Sequence, residues 1–132
     1  MTFHPVKKLI EDADKAITSE DFDTLMDFYA EDAILVIKPG MTASGKDQIR
    51  RAFVAIAEYF KHSLVIKQGE MQVLQGGSTA LVVMETVVES MDDEGKKTST
   101  TRRATYVFRE GPKNQWLCVV DNSYGTDLLG AL

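Results

Sequence analysis

Residues 79–91 read TALVVMETVVESM, and this stretch decides the fold. Its side chains alternate with the period of two that is typical of a β-strand, in which successive residues point to opposite faces of a sheet. Both faces are largely apolar, since one carries Val82 and Met84 while the other carries Leu81 and Val83. A single layer of helices covers only one face. The sequence therefore predicts a second covering layer, and we expect a homodimer formed sheet against sheet.

Other stretches on both sides of this one have strand-like composition. A short apolar run at 33–38 ends in a Pro-Gly turn, and three longer runs are predicted at 64–74, 98–109 and 115–124. Glycine and aspartate clusters separate the longer runs and fit tight turns. Short connections between successive strands indicate an antiparallel meander.

The N-terminal half has the three-and-four spacing of helices instead. An apolar stripe runs along 6–17, with polar residues such as Asp14 and Lys15 expected to face water. A shorter stripe follows over 22–29. A longer helix is predicted over 44–60, with the Ser44 hydroxyl as its cap and the Asp47 carboxylate three residues on. Helices grouped before a run of strands predict an α+β architecture in which the helices cover one face of the sheet.

Composition limits the possible functions. The 132 residues suit a single domain, 1–132, and 44% apolar with 27% charged residues is typical of a globular chain. A net charge of -5 makes a nucleic acid or an anionic membrane an unexpected partner. One cysteine and two histidines exclude an internal disulfide and a standard zinc site, so neither a metal nor another cofactor is expected. No signal-like or bilayer-length apolar run is present, and a cytoplasmic location is expected.

The element order, together with FYAEDA at 28–33, resembles the nuclear transport factor 2-like superfamily. Further matching motifs are KPG at 38–40, SGKD at 44–47, RRATY at 102–106 and the stretch 116–125. Within that superfamily the chain is similar to ketosteroid-isomerase-like and SnoaL-like proteins, and most of all to the stand-alone bacterial YybH type. The resemblance implies a cone-shaped, mostly antiparallel curved sheet wrapped around a long helix, with two N-terminal helices. It also implies a pocket inside the cone and a dimer through the outer face of the sheet.

The resemblance does not carry over the ketosteroid isomerase mechanism. The basic aspartate of that enzyme would stand before Pro39, where this chain has Lys38. The tyrosine of the first helix would fall near Ala13 and Asp14, and the second acid would lie in the strand segment 104–106, which reads Ala-Thr-Tyr. Steroid isomerisation by that route is therefore not expected.

A pocket wall is expected around the end of the last strand. Tyr124 precedes a glycine, as the corresponding aromatic of ketosteroid isomerases often does, which would turn its ring into the pocket. A period of two then places Asn122 on the pocket face, and Asp121 and Ser123 on the other face. Asn122 would orient a ligand or, alternatively, satisfy backbone groups at the strand end. The other expected wall residues, which could equally be core, are Tyr29, Phe53, Ile56, Tyr59 and Trp116.

Glu85 and Arg103 are the charged candidates on neighbouring strands. If Arg103 points inward, its guanidinium offers five donors to an anionic ligand group. Glu85 would be its partner, either as a structural ion pair or as a catalytic base.

The sequence therefore favours a protein that binds a small organic molecule bearing a carbonyl or carboxylate. As an enzyme it would be a cofactor-independent isomerase, cyclase, dehydratase or hydrolase, with Glu85 as base and Arg103 or Asn122 as the oxyanion donor. The alternative is a non-catalytic ligand-binding or protein-interaction module.

Overall fold

A computed structural model describes residues 4–130 of the chain and shows a curved six-stranded sheet with helices packed against its inner face. The α+β prediction is confirmed. In chain order the elements are α1 (Pro5–Ser19), α2 (Phe22–Met26), β1 (Tyr29–Lys38), β2 (Met41–Ser44), α3 (Lys46–Tyr59), β3 (Val65–Gly76), β4 (Thr79–Met91), β5 (Lys97–Glu110) and β6 (Trp116–Asn122).

The strands pair in the order β2-β1-β6-β5-β4-β3. The meander prediction holds for β3 to β6, which are antiparallel neighbours, whereas β1 lies parallel to β6. β1 begins at Tyr29, four residues before the predicted start, and the short strand β2 was not predicted. Four residues are too few to show a readable alternation, which is why β2 gave no sequence signal.

Both long helices begin at identifiable residues. Pro5 occupies the first turn of α1, and the His4 ring nitrogen Nδ1 accepts a hydrogen bond from the Val6 N–H at 3.2 Å. α3 begins after Gly45, with φ at 82°, rather than after the predicted Ser44 cap. The Ser44 N–H instead donates a hydrogen bond to the Gln48 side-chain oxygen at 2.9 Å. Within residues 4–130, no helix is long and apolar enough to cross a membrane.

A β-bulge in β6 determines which of its residues point inward. On one side of Val119, Cys118 pairs with Phe108 of β5, and on the other side Val120 pairs with Val107. One extra residue on β6 therefore stands opposite an uninterrupted β5, and such an insertion reverses the faces of all side chains that follow it.

The bulge overturns the predicted orientation of the last strand. Strict alternation from Trp116 and Cys118 puts Asn122 inward, but the shift at the bulge brings Asp121 and Ser123 to the inner face instead. The face carrying Trp116 and Cys118 before the bulge is the face carrying Asp121 after it. This reversal places a carboxyl group inside the cone.

The outer face of the sheet carries a row of apolar neighbours across five strands. Leu74 pairs with Leu81, Leu81 with Val107 and Val107 with Val120, and Val120 also pairs with Ile34. Leu74, Leu81 and Ile34 are 57%, 39% and 40% exposed. We call these five residues the outer row. Within residues 4–130, no helix covers it, because α1 and α3 occupy the opposite face.

Candidate functional site

A cavity of about 160 Å³ lies inside the cone, between the sheet, α1 and α3. Most of its wall is apolar, which favours the body of a small organic ligand. Besides the hydroxyls of Tyr106 and Tyr124, five polar or charged side chains interrupt this wall. They are Asp14, Thr86, Arg102, Asp121 and Ser123.

Asp121 is a buried carboxylic acid at the inward face of β6. The Tyr29 hydroxyl donates a hydrogen bond to its Oδ2 at 2.6 Å. Burial raises the pKa of Asp121 to about 6, from an ordinary 3.8, because a low-dielectric site disfavours the charged form. The hydrogen bond from Tyr29 acts in the opposite direction and limits the rise. Asp121 therefore changes protonation close to neutral pH.

Asp14 is the second buried carboxyl group, contributed by α1 and only 7% exposed. Its pKa is raised to about 7, first by burial, then by the nearby charge of Asp121, with Gln68 opposing and Glu11 adding a small increase. Asp14 also lines an open groove of about 660 Å³ between α1 and β3. It therefore stands between the cavity and the solvent.

Three buried polar atoms in this region have no hydrogen-bond partner among residues 4–130. They are the Asp14 Oδ2, the Gln68 Nε2 and the Thr86 Oγ1, which come from α1, β3 and β4. Buried polar groups are almost always paired with protein, water or ligand. Asp14 and Thr86 line the cavity and offer these atoms to an occupant there, whereas Gln68 lines the groove between α1 and β3.

Two tyrosine hydroxyls add neutral donors near the two acids. Tyr29 and Tyr106 are buried, and burial together with the charge of Asp121 keeps the pKa of each hydroxyl well above its ordinary 10. Both remain protonated at any physiological pH. Tyr29 uses its proton on Asp121, whereas Tyr106 lines the cavity directly.

The structure places three predicted wall residues, Phe53, Ile56 and Tyr124, around the cavity. Tyr29 lies behind Asp121 and reaches the site through its hydroxyl. Trp116 is buried beside the His4 ring, with 5.2 Å between ring centres, and does not line the cavity. Tyr59 is 80% exposed at the end of α3, so its expected place in the wall is wrong.

Asn122 forms hydrogen bonds at the end of β6 and does not face the cavity. Its amide nitrogen donates to the Gly125 carbonyl at 3.1 Å and to the Thr105 hydroxyl at 3.2 Å, and its oxygen accepts from the Tyr124 N–H at 3.1 Å. These bonds hold the turn that follows β6. The predicted orientation of Asn122 into the pocket is therefore wrong.

Glu85 and Arg103 are cross-strand neighbours, as predicted, but they lie on the outer face of the sheet. Arg103 is exposed, and its inward neighbour in sequence, Arg102, lines the cavity instead. No ion pair joins Glu85 and Arg103 within the described part of the chain. The expected base and oxyanion donor are thus separated from the cavity by the sheet itself.

The sequence reasoning missed both buried acids, although α1 contains a signal for one of them. Asp14 stands four residues after Ile10 and three before Ile17, so it lies on the apolar stripe and not on the water-facing side. A charged residue on a buried stripe is a candidate functional residue. Asp121 carried no comparable signal, because its orientation depends on the bulge.

No group of three His, Cys, Asp or Glu side chains within residues 4–130 could hold a metal ion.

Comparisons with known proteins agree with this architecture. The model of the SnoaL-like domain family matches residues 6–119. An NTF2-like protein with a cystatin-like fold from Novosphingobium aromaticivorans has 23% identity and a TM-score of 0.70, covering 88% of this chain and 76% of that one. An uncharacterised cystatin-like protein from Caulobacter vibrioides has 18% identity and a TM-score of 0.75, covering 88% and 83%. The CaMKII hub of S. rosetta has 21% identity and a TM-score of 0.73, covering 92% and 96%. Among curated proteins, no match is found.

Proposed function

The chain belongs to the SnoaL-like domain family, and on that premise we propose that its cavity catalyses proton transfer on a small organic molecule, with Asp121 as the base and Asp14 as the acid. The finer placement in the YybH type and a cytoplasmic location are part of this proposal. The observation that carries it is the presence of two buried carboxyl groups on one cavity wall.

The pKa values of the two acids differ, as acid–base catalysis by a pair of carboxyl groups requires. With a pKa of about 6 for Asp121 and about 7 for Asp14, the dominant form between these values has one ionised and one protonated carboxyl. Two titratable groups whose environments separate their pKa values divide the roles of base and acid between them. Both values lie near neutral pH, where proton transfer in either direction is efficient.

The reaction that fits this pair is enolisation of a carbonyl compound. The Asp121 carboxylate takes a proton from the carbon beside the carbonyl, so that the C–H bond breaks and an O–H bond forms on Asp121. The protonated Asp14 gives its proton to the carbonyl oxygen, which yields the neutral enol. Asp121 then returns a proton to carbon while the Asp14 carboxylate takes back the hydroxyl proton of the enol, which regenerates the carbonyl compound and both starting protonation states. In D₂O, deuterium reaches the carbon when the proton held on Asp121 exchanges with solvent before it is returned.

Proton exchange at carbon tests this proposal without knowledge of the natural substrate. Small neutral ketones such as cyclohexanone and acetophenone are incubated with the protein in D₂O, and the loss of the signal of the protons beside the carbonyl is followed by NMR. We expect protein-dependent exchange above the buffer rate. Binding of the ketones without exchange would contradict the enzyme proposal and favour the non-catalytic binding module.

The exchange rate should depend on pH in a bell shape. The rate requires ionised Asp121 and protonated Asp14, so it should rise with pH near 6 and fall near 7, giving a narrow maximum between the two values. The measurement is the same NMR exchange assay across a pH series. A rate that continues to rise through pH 9 would contradict the role of Asp14 as the acid.

We also propose that the outer row binds a second copy of the same chain. An apolar row on the outer face of a sheet can be self-complementary, because the same patch can serve both partners of a two-fold dimer. The S. rosetta hub domain, which has this fold, is named for an assembly role, and this supports association through the domain. The row spans five strands, roughly 19 Å at a strand spacing of about 4.8 Å.

A charge placed in the outer row should dissociate the dimer. Leu81→Asp introduces a carboxylate at the centre of the proposed interface, and we expect the mass by light scattering to fall from two chains to one. Tyr59→Asp is the matched control, because it alters an exposed aromatic on α3, away from the sheet face. A wild-type chain that is already monomeric at micromolar concentration would overturn the proposal.

A further inference from the structure

Arg102 is a cavity residue without a carboxylate partner. It lies half-buried on the inward face of β5, and its guanidinium carbon is 4.3 Å from the centre of the Tyr124 ring. Among residues 4–130 no carboxylate comes within ion-pair distance of it, whereas Arg50 and Arg109 are paired with Asp23 and Asp32. Of the described residues that line the cavity, Arg102 alone is basic.

An unpaired guanidinium beside an apolar cavity favours a carboxylate ligand. Arginine stays charged at every physiological pH, and its planar fork of N–H donors matches the two oxygens of a carboxylate. The Arg102 guanidinium lies over the Tyr124 ring, and this cation–π contact helps to hold the fork in place. A single cation neutralises one negative charge, which suits a monocarboxylate better than a phosphate with its higher charge.

Arg102 and Asp121 are offset from each other along the sheet. Tyr106 is the β5 partner of Asp121, and Arg102 stands four residues before it on the same strand. At about 3.4 Å per residue, up to roughly 14 Å separates the Cα atoms of Arg102 and Tyr106. A ligand carboxylate would be repelled by ionised Asp121 and attracted by Arg102, so the charges orient the molecule along the cavity.

We propose that the cavity binds a small monocarboxylate with an apolar body, whose carboxylate is held by Arg102 and whose body occupies the cavity that Asp14 and Asp121 also line. The cavity volume of about 160 Å³ is close to the roughly 150 Å³ of an apolar protein cavity that accepts benzene. A benzene ring with one carboxylate is therefore a suitable probe. The proposal deepens the proposed acid–base function by naming a substrate class, but carboxylate binding itself does not depend on catalysis.

Benzoate and benzamide provide a matched pair of probes, since they share the ring and differ in charge. Titration calorimetry on the whole chain should show benzoate binding and at least about tenfold weaker binding of benzamide, because a charge-assisted hydrogen bond is worth about 1.5–3 kcal/mol. Arg102→Met should weaken benzoate about tenfold to a hundredfold and remove the discrimination between the probes. Arg102→Lys, which keeps the charge but loses the fork, should give an intermediate affinity.

Arg103→Met is the control variant, because it removes the neighbouring arginine on the opposite face of the same strand. It should leave the affinity for benzoate unchanged. Circular dichroism and the melting temperature of each variant show whether the fold is kept. A wild-type protein that does not bind benzoate, or binds both probes equally, would overturn the proposal, as would unchanged affinity in a folded Arg102→Met variant. Exchange on neutral ketones does not require Arg102, so the two proposals can fail separately.

Discussion

Replacing Asp121 with asparagine should slow proton exchange by about two to four orders of magnitude, the usual contribution of a general base. The substrate is a ketone on which the wild-type protein accelerates exchange. Asparagine has the same shape as aspartate but cannot accept a proton at neutral pH. Its side-chain oxygen can still accept the hydrogen bond from the Tyr29 hydroxyl, which is 2.6 Å from Oδ2 in the wild type. The fold should therefore persist while the base is lost, and the NMR exchange assay measures the difference.

Glu85→Gln is the matched control for this experiment. It makes the same chemical change, from carboxylate to amide, on the outer face of the sheet. We expect it to leave the exchange rate within about twofold of wild type, since it has no contact with the cavity. A folded Asp121→Asn variant with the wild-type rate would remove Asp121 from the mechanism, and loss of exchange in Glu85→Gln would restore the assignment made from the sequence.

Replacing Asp14 with asparagine should stabilise the protein at alkaline pH and have little effect at pH 4. In the unfolded chain Asp14 loses its proton near 3.8, whereas the folded protein holds it up to about 7. The folded state binds more protons between these values, so the contribution of Asp14 to stability is full below about pH 4 and is lost as pH rises toward 7. A shift of about three pH units corresponds to about 4 kcal/mol. Asparagine carries no charge and avoids this loss.

The melting temperature as a function of pH measures this effect. At pH 8 we expect Asp14→Asn to unfold at a temperature about 12–20 °C higher than wild type, given roughly 3–5 °C per kcal/mol for a chain of this size. Asp12→Asn alters an exposed carboxyl on the same helix, paired with Lys8 at 2.7 Å, and should change stability by less than about 1 kcal/mol. A difference between Asp14→Asn and wild type that is the same at pH 4 and pH 8 would contradict a raised pKa for Asp14.

Much of the fold could be predicted from the sequence because each long element carries its own periodicity. The alternation in 79–91 indicated β4, and the spacing in α1 and α3 indicated two amphipathic helices. The position of β1 beside β6 could not be read in this way. Their parallel pairing joins residues about ninety positions apart, for example Tyr29 with Cys118, and no local pattern specifies such a contact.

The candidate site was harder to predict because single residues decide it. One extra residue at Val119 reverses the faces of the residues that follow it in β6. Asp121 therefore lines the cavity in place of the predicted Asn122. The choice between the two neighbouring arginines was also not fixed by the sequence, because alternation allows either Arg102 or Arg103 to point inward. In the structure Arg102 lines the cavity and Arg103 lies on the outer face. A period of two identifies which residues share a face between bulges, but it does not locate the bulges themselves.

The most direct test of the central claim is a carbon-13 NMR titration of the aspartate carboxyl groups, with Asp14→Asn and Asp121→Asn used for assignment. We expect two carboxyl signals that titrate as a coupled pair, with apparent pKa values near 6 and 7. If both signals instead titrate near 4, like exposed aspartates, the cavity holds two permanently ionised carboxylates and the division into acid and base fails.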